Sequence, residues 1–519
     1  MSLHSSRSRM VAALAATALL AAGCTAGPAP GPKVVHGEGG DAAADTAANT
    51  LPPLSAPKRD LNYTSCGSRL ADKYDVDAPE GVQLDCAFYQ VPIDPDHPDS
   101  NPLIVTVVRA QSSQTPKDAA PLVLTTGADL PSSRLALSLD SATLAPLLAK
   151  HPLVAVDHRG LGQSAPVDCL TSEQRSTLAN DGAAGTRDVA ARTTVLAQAA
   201  REGADICNDT LEPDQLKYAA TFAAADIEQL RSRWQVDRIG LVGIGSGSSV
   251  ALAYQAKHPG NVGRLILDSP VGLNVQAGPA AAATAAGVQN SLATFAQRCA
   301  NVGCSLGSDG LGTLKRVISA GATGALRGLS DTSILTAITT TLALGPTDPD
   351  GLKKLADALT AADRGDADDL RALVENTEPV RNADGQQVTR CNDMVGRPGL
   401  DDIPGLARTW GTDAPMTANT AALSLARCDG WGSAGAAPAP TSFPIAPLVL
   451  LGLNDPINGL KAAEALTPLL VTTGADARTV SWDGLGYSVL ARSRCAAEIV
   501  VGYLGEDKLT GPAERACPA

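Results

Sequence analysis

Arg238-Ile239-Gly240-Leu241-Val242-Gly243-Ile244-Gly245-Ser246-Gly247-Ser248-Ser249-Val250-Ala251-Leu252-Ala253-Tyr254 changes character twice. A continuous apolar run from Ile239 to Val242 suits a strand buried on both faces. Small residues follow, with Gly243 and Gly247 flanking Gly245, and then a helical stretch covers Val250–Lys257. Strand, tight turn and helix in that order form the working unit of a parallel α/β sheet.

Outward from this stretch the same rhythm repeats. Leu103–Val108, Leu122–Thr126, Leu153–Val156, Leu265–Leu267 and Leu448–Leu453 are short Leu-rich or β-branched runs bounded by turn signals. Helical stretches such as Ala219–Trp234 lie between them, so the fold class is α/β with a mostly parallel, doubly wound sheet. From about residue 275 to 440 the strands stop. Gly312–Ala320, Ser333–Leu344, Leu352–Ala361 and Asp368–Glu375 read as helices, which predicts a helical insertion, with the sheet resuming near Ile445. The expected organisation is core over 59–274, cap over 275–440 and core again over 441–519.

Composition narrows the function classes. The 519 residues are 44% hydrophobic, enough for a large core, while 54 acidic against 41 basic residues give a net charge of −13. With aromatics at 3%, neither phosphate-backbone capture nor base stacking is supported, and nucleic-acid binding is excluded.

Residues 1–23 pair Arg7 and Arg9 with an apolar run from Met10 to Ala22, too short for a permanent span, and predict an export signal. Leu20-Ala21-Ala22-Gly23-Cys24 resembles the bacterial lipobox, which implies acylation of Cys24 and a membrane-anchored, extracytoplasmic protein. Residues 24–58, rich in Ala, Gly, Pro and Thr, are expected to be a flexible tether. Ten cysteines remain: Cys66, Cys86, Cys169, Cys207, Cys299, Cys304, Cys391, Cys428, Cys495 and Cys517. An even count in an exported chain fits five disulfides, for which sequential pairing is the expectation although order alone leaves other connectivities open. No paired C-x-x-C or histidine cluster exists, so neither metal nor cofactor is expected.

Several motifs now combine. Asp157-His158-Arg159-Gly160-Leu161-Gly162-Gln163-Ser164, Asp226-Ile227-Glu228-Gln229-Leu230-Arg231, the turn at Gly243–Gly247, Gly452-Leu453-Asn454-Asp455-Pro456 and the C-terminal Ser493-Arg494-Cys495 with Cys517 together resemble the secreted α/β-hydrolase peptidases typified by actinobacterial tripeptidyl and prolyl aminopeptidases. That resemblance implies a nucleophile elbow G-x-S-x-G and a triad in the order Ser, Asp, His. Asp455 stands at the acid position. Gly245 stands where the serine belongs, and Tyr487, in Gly484-Leu485-Gly486-Tyr487, stands where the histidine belongs; no histidine follows His258. The family's glycine-rich oxyanion loop corresponds to Thr126-Gly127-Ala128-Asp129-Leu130, where Gly127 and Ala128 hold the loop positions and Asp129 would repel an oxyanion if it pointed inward.

Nucleophile, base and oxyanion loop all depart from the family pattern, and a triad without nucleophile and base has no covalent mechanism to run. The expectation is a catalytically degenerate hydrolase that binds a peptide, lipid or protein partner. The alternative is a peptidase or esterase using Ser246, whose plainer role is a turn serine capping the next helix. A transporter's solute-binding lipoprotein ranks last, since it leaves the C-terminal motifs unexplained. His151, His158 and His258 lack the context of a catalytic base.

Overall fold

The computed structural model describes residues 50–183 and 185–519; the expected export signal, Cys24 and residues 24–49 of the tether lie outside them. Ten strands among the described residues form one sheet: β1 (Thr64–Ser65), β2 (Gln83–Pro92), β3 (Pro102–Gln111), β4 (Leu122–Thr125), β5 (Leu153–Val156), β6 (Ile239–Ile244), β7 (Val262–Asp268), β8 (Leu448–Asn454), β9 (Arg478–Leu485) and β10 (Glu514–Cys517). Their order is β1-β2-β3-β5-β4-β6-β7-β8-β9-β10. From β5 to β10 every pairing is parallel, whereas β1, β2 and β3 are joined antiparallel. The central strands β4 to β7 are buried at every residue, as their unbroken apolar runs require.

Helices cover both faces. Ala220–Trp234 and Gly247–Lys257 pack side by side on one face, and Ser141–Leu148 and Arg494–Leu504 on the other. The insertion between β7 and β8 is helical throughout, from Ala277–Val302 to the short turn Ser424–Cys428, with its own core around Leu292, Phe295, Leu314, Ile334 and Leu359. Sequence assigned the cap only to 275–440. The helix Val189–Leu211, from the β5–β6 connection, also belongs to it, packing on Ile403–Trp410 and Ala418–Leu423. Buried Arg192 fixes the arrangement with two hydrogen bonds to Asp331 on the cap helix Asp331–Leu344, at 2.8 and 2.9 Å.

The expected tether also ends earlier than residue 58. Leu51 N–H donates to the Glu506 carbonyl, Lys58 N–H donates to the Trp234 carbonyl at 2.9 Å, and Leu54 packs into the core. Leu51 and Leu54 carry apolar surface, and the prolines at 52 and 53 favour the extended backbone that lets them lie along the body. Five disulfides join Cys66–Cys86, Cys169–Cys207, Cys299–Cys304, Cys391–Cys428 and Cys495–Cys517.

Candidate functional site at the switch point

β4 has β5 on one side and β6 on the other, so the strand order reverses between β4 and β6. Parallel sheets open a crevice beyond the carboxyl ends of their strands at such a reversal. The loop after β4, the turn after β6 and the loops after β8 and β9 meet there.

The turn after β6 is built as an elbow. Gly245 has φ +55°, the left-handed region that glycine enters without strain. Gly247 is needed for close approach, since a Cβ there would stand 2.0 Å from the Thr125 carbonyl oxygen. What fills the elbow comes from the loop after β4. Asp129 does point inward, and its Oδ2 accepts three hydrogen bonds, from Ser246 N–H (3.0 Å), Asn458 Nδ2 (2.8 Å) and Tyr487 Oη (3.0 Å). A Cβ on Gly245 would stand 2.0 Å from that oxygen.

Ser246 does not cap its helix with its side chain. Its Oγ accepts from Ala128 N–H at 2.9 Å and donates to the Thr126 carbonyl at 3.1 Å, so the cap expected from sequence is replaced by a bridge to the β4 loop. The two backbone N–H groups at the places of an oxyanion hole, after the elbow and in the β4 loop, are thereby satisfied internally: Ser246 N–H by Asp129, Ala128 N–H by Ser246. Gln386 from the cap holds the loop from behind, donating to the carbonyls of Ala128 (3.2 Å) and Asp129 (3.0 Å). Gly127, with φ +56°, lets the loop bend against the elbow.

Asp455 closes β8. Its Oδ1 accepts from Ile457 N–H at 2.7 Å, an Asx-type turn, while its Oδ2 is buried with no hydrogen-bond partner. Burial, reinforced by the charge of Asp129, pushes its carboxyl up to about 8 despite the Ile457 N–H. Tyr487 is fully buried, and burial together with Asp129 raises its phenol well above the usual value, so it serves as a donor. Its loop is clamped by Asp268, which accepts from Ser488 Oγ (2.7 Å), Val489 N–H (2.8 Å) and Leu490 N–H (3.0 Å).

Of the histidines, His158 lines the same crevice. Its Nδ1–H donates to the Arg159 carbonyl at 2.9 Å, its Nε2 is buried without a partner, and burial lowers its pKa to about 4. It is a neutral ring making no hydrogen bond with Ser246. His151 Nδ1 bonds the Ala120 carbonyl, and His258 sits at a helix end against the Tyr254 ring. The quoted motifs prove to be one scaffold: buried Arg159 pairs with Asp226 at 2.8 and 2.5 Å, and Asp157 accepts from Ser133 and Gln163 N–H groups.

Two family models match, the α/β-hydrolase fold over residues 131–309 and the TAP-like protein over residues 414–517. The chain belongs to the α/β-hydrolase family. No curated protein matches it. Among solved structures, a bacterial membrane phospholipase A is similar at 14% identity over 81% of this chain and 86% of the other, TM-score 0.33. A 2-hydroxy-6-oxo-6-phenylhexa-2,4-dienoate hydrolase from Rhodococcus sp. strain RHA1 is similar at 13% over 81% and 99%, TM-score 0.34. A thermophilic esterase from Thermogutta terrifontis is similar at 12% over 80% and 97%, TM-score 0.36.

In this α/β-hydrolase the elbow opens into a cavity of about 560 Å³ between sheet and cap. Its walls carry residues that the sequence did not single out: Arg381, Arg390 and Arg427 from the cap and Asn458 from the turn after β8. Asn458 follows Asp455 closely enough to have drawn notice. The arginines are far apart in a cap of unremarkable charge, and no local pattern marks them. Among the described residues no cluster of side chains could hold a metal, and no helix is long and apolar enough to cross a membrane.

Proposed function

We propose that this protein is a catalytically degenerate α/β-hydrolase that binds a ligand in the cavity between sheet and cap without turning it over, held at the outer face of the cell membrane by a lipid on Cys24. The observation that carries the first part is the Asp129 carboxylate inside the elbow. A fixed negative oxygen occupies the space where a family member keeps its nucleophile, and it takes the amide that would stabilise an oxyanion. The partnerless Oδ2 of Asp455 adds support, because in a triad that oxygen accepts from the histidine. The sequence from Leu20 to Cys24 supports the anchor.

The alternative, an active hydrolase using Ser246, has the geometry against it. The Ser246 proton is committed to the Thr126 carbonyl and no described imidazole hydrogen-bonds its oxygen. A two-lobed solute-binding architecture is not the fold found. The test is a serine-reactive fluorophosphonate probe. The expected result is no labelling of the wild-type protein and none of Ser246→Ala; stoichiometric labelling abolished by that substitution would restore Ser246 as a nucleophile.

A further inference from the structure

The cavity has an unusual charge distribution for a chain with an excess of acid. Arg381 presents buried Nε and Nη1 atoms with no hydrogen-bond partner. Arg390 reaches only backbone carbonyls, those of Arg381 and Ala128, each at 3.3 Å. Arg427 has one carboxylate partner, Asp181, at 2.6 Å. All three arginines line the cavity, Arg390 lies against the Arg381 backbone, and burial, with the charges of Arg381 and Arg427, depresses Arg390 to about 9. Asp129 and Asp455 act on Arg381 electrostatically, yet neither pairs with it: Asp129 Oδ2 holds three other donors, and burial raises the Asp455 carboxyl to about 8. What the site lacks is a hydrogen-bond acceptor for the buried Nε and Nη1 of Arg381, and an anionic ligand would supply one.

Much of the remaining wall is apolar: Val250, Val275, Ala280, Val288, Leu335 and Met394 line the same cavity, several of them on or beside the Ala-rich helix Ala277–Val302. A few cationic groups in an otherwise largely apolar wall specify both parts of a ligand.

We propose that the cavity takes a carboxylate carried on an apolar body, with the carboxylate between Arg381 and Arg390 and the body along the apolar wall. This rests on the cavity being the ligand-binding site of the proposed function. Guanidinium forks match a planar carboxylate, and a free Nε and Nη1 on one arginine offer it two hydrogen bonds. A fatty acid and the C-terminus of a short apolar peptide share this chemistry.

The experiment is calorimetric titration of full-length Cys24→Ala protein, which needs no detergent, with dodecanoate, methyl dodecanoate, the tripeptide Ala-Val-Leu and its C-terminal amide. The expected result is that one free acid binds at least about tenfold more tightly than its neutral counterpart, and that Arg381→Met and Arg390→Met each remove about that factor. Which acid binds identifies the source of the carboxylate. Equal affinity for acid and neutral counterpart, or no binding of either acid below about 1 mM, overturns the proposal. The acid-against-neutral comparison on unsubstituted arginines decides it even if the variants fail to fold. Hydrolysis of methyl dodecanoate instead overturns catalytic degeneracy and leaves carboxylate recognition standing.

Discussion

Asp129 Oδ2 stands 2.0 Å from the point where a Cβ on Gly245 would be built, so a side chain at 245 and the inward-turned Asp129 carboxylate exclude one another. The glycine at the elbow and the aspartate in the β4 loop are one structural unit.

A serine at 245 therefore meets both a positive φ and a carboxylate. Gly245→Ser is expected to lower unfolding stability by more than about 2 kcal/mol, and adding Asp129→Gly is expected to recover most of the loss. Chemical denaturation of the single and double variants checks this. Fluorophosphonate labelling is expected only when Asp129→Gly, Gly245→Ser and Tyr487→His are combined, because only then are nucleophile, base and a free elbow amide present together. Labelling of Gly245→Ser/Tyr487→His with Asp129 intact would sink the idea that Asp129 blocks the site.

Asp455 should impose a pH dependence on stability. Its carboxyl is raised to about 8 in the folded protein, against an unfolded value of about 3.9. Between those values the folded chain holds a proton that the unfolded chain has released, so stability falls as pH rises from about 4 to about 8. Asp455→Asn mimics the protonated form and removes this slope. The difference in unfolding free energy between the variant and wild type is expected to shift in the variant's favour by roughly a few kcal/mol across that range. Urea melts at pH 4.5, 6 and 7.5 measure it, and parallel curves would refute it.

The buried Arg192–Asp331 pair holds the two parts of the cap together. Arg192→Met leaves the Asp331 carboxylate buried without its cation and should cost about 3–5 kcal/mol, whereas Arg192→Met/Asp331→Leu should recover much of that. Hydrogen exchange is expected to show the loss of protection concentrated in Val189–Leu211 and Asp331–Leu344. A loss spread evenly over the central strands would mean that the pair does not act locally.

The proposed acylation of Cys24 predicts where the protein resides. Expressed in a host that processes lipoproteins, the wild-type chain is expected in the membrane fraction with a fatty-acylated N-terminal cysteine by mass spectrometry. Cys24→Ala is expected in the soluble extracytoplasmic fraction. Membrane retention of Cys24→Ala, with no acyl mass on the wild type, would rule out the anchor.

The sequence by itself determined the elements. Ile239–Ile244 is a strand and Gly247–Lys257 a helix because side-chain size and apolar spacing act within a few residues, and the cap helices follow from the same local rule. Gly245 and Tyr487 could be marked as departures because the motif around each is local. The long β2 and the C-terminal strands β9 and β10 were less legible, since their exposed residues break the apolar runs.

Only the tertiary structure decided what occupies the elbow. Asp129, Ser246, Asn458 and Tyr487 come from four connections and meet at one oxygen. Whether Asp129 turned outward into water or inward onto those donors depended on the Gly127 bend, on Gln386 behind the loop and on the order of the strands. The three cavity arginines pose the same problem. Their convergence is set by how cap helices stack over the sheet, and packing between distant segments leaves no periodic trace in the chain.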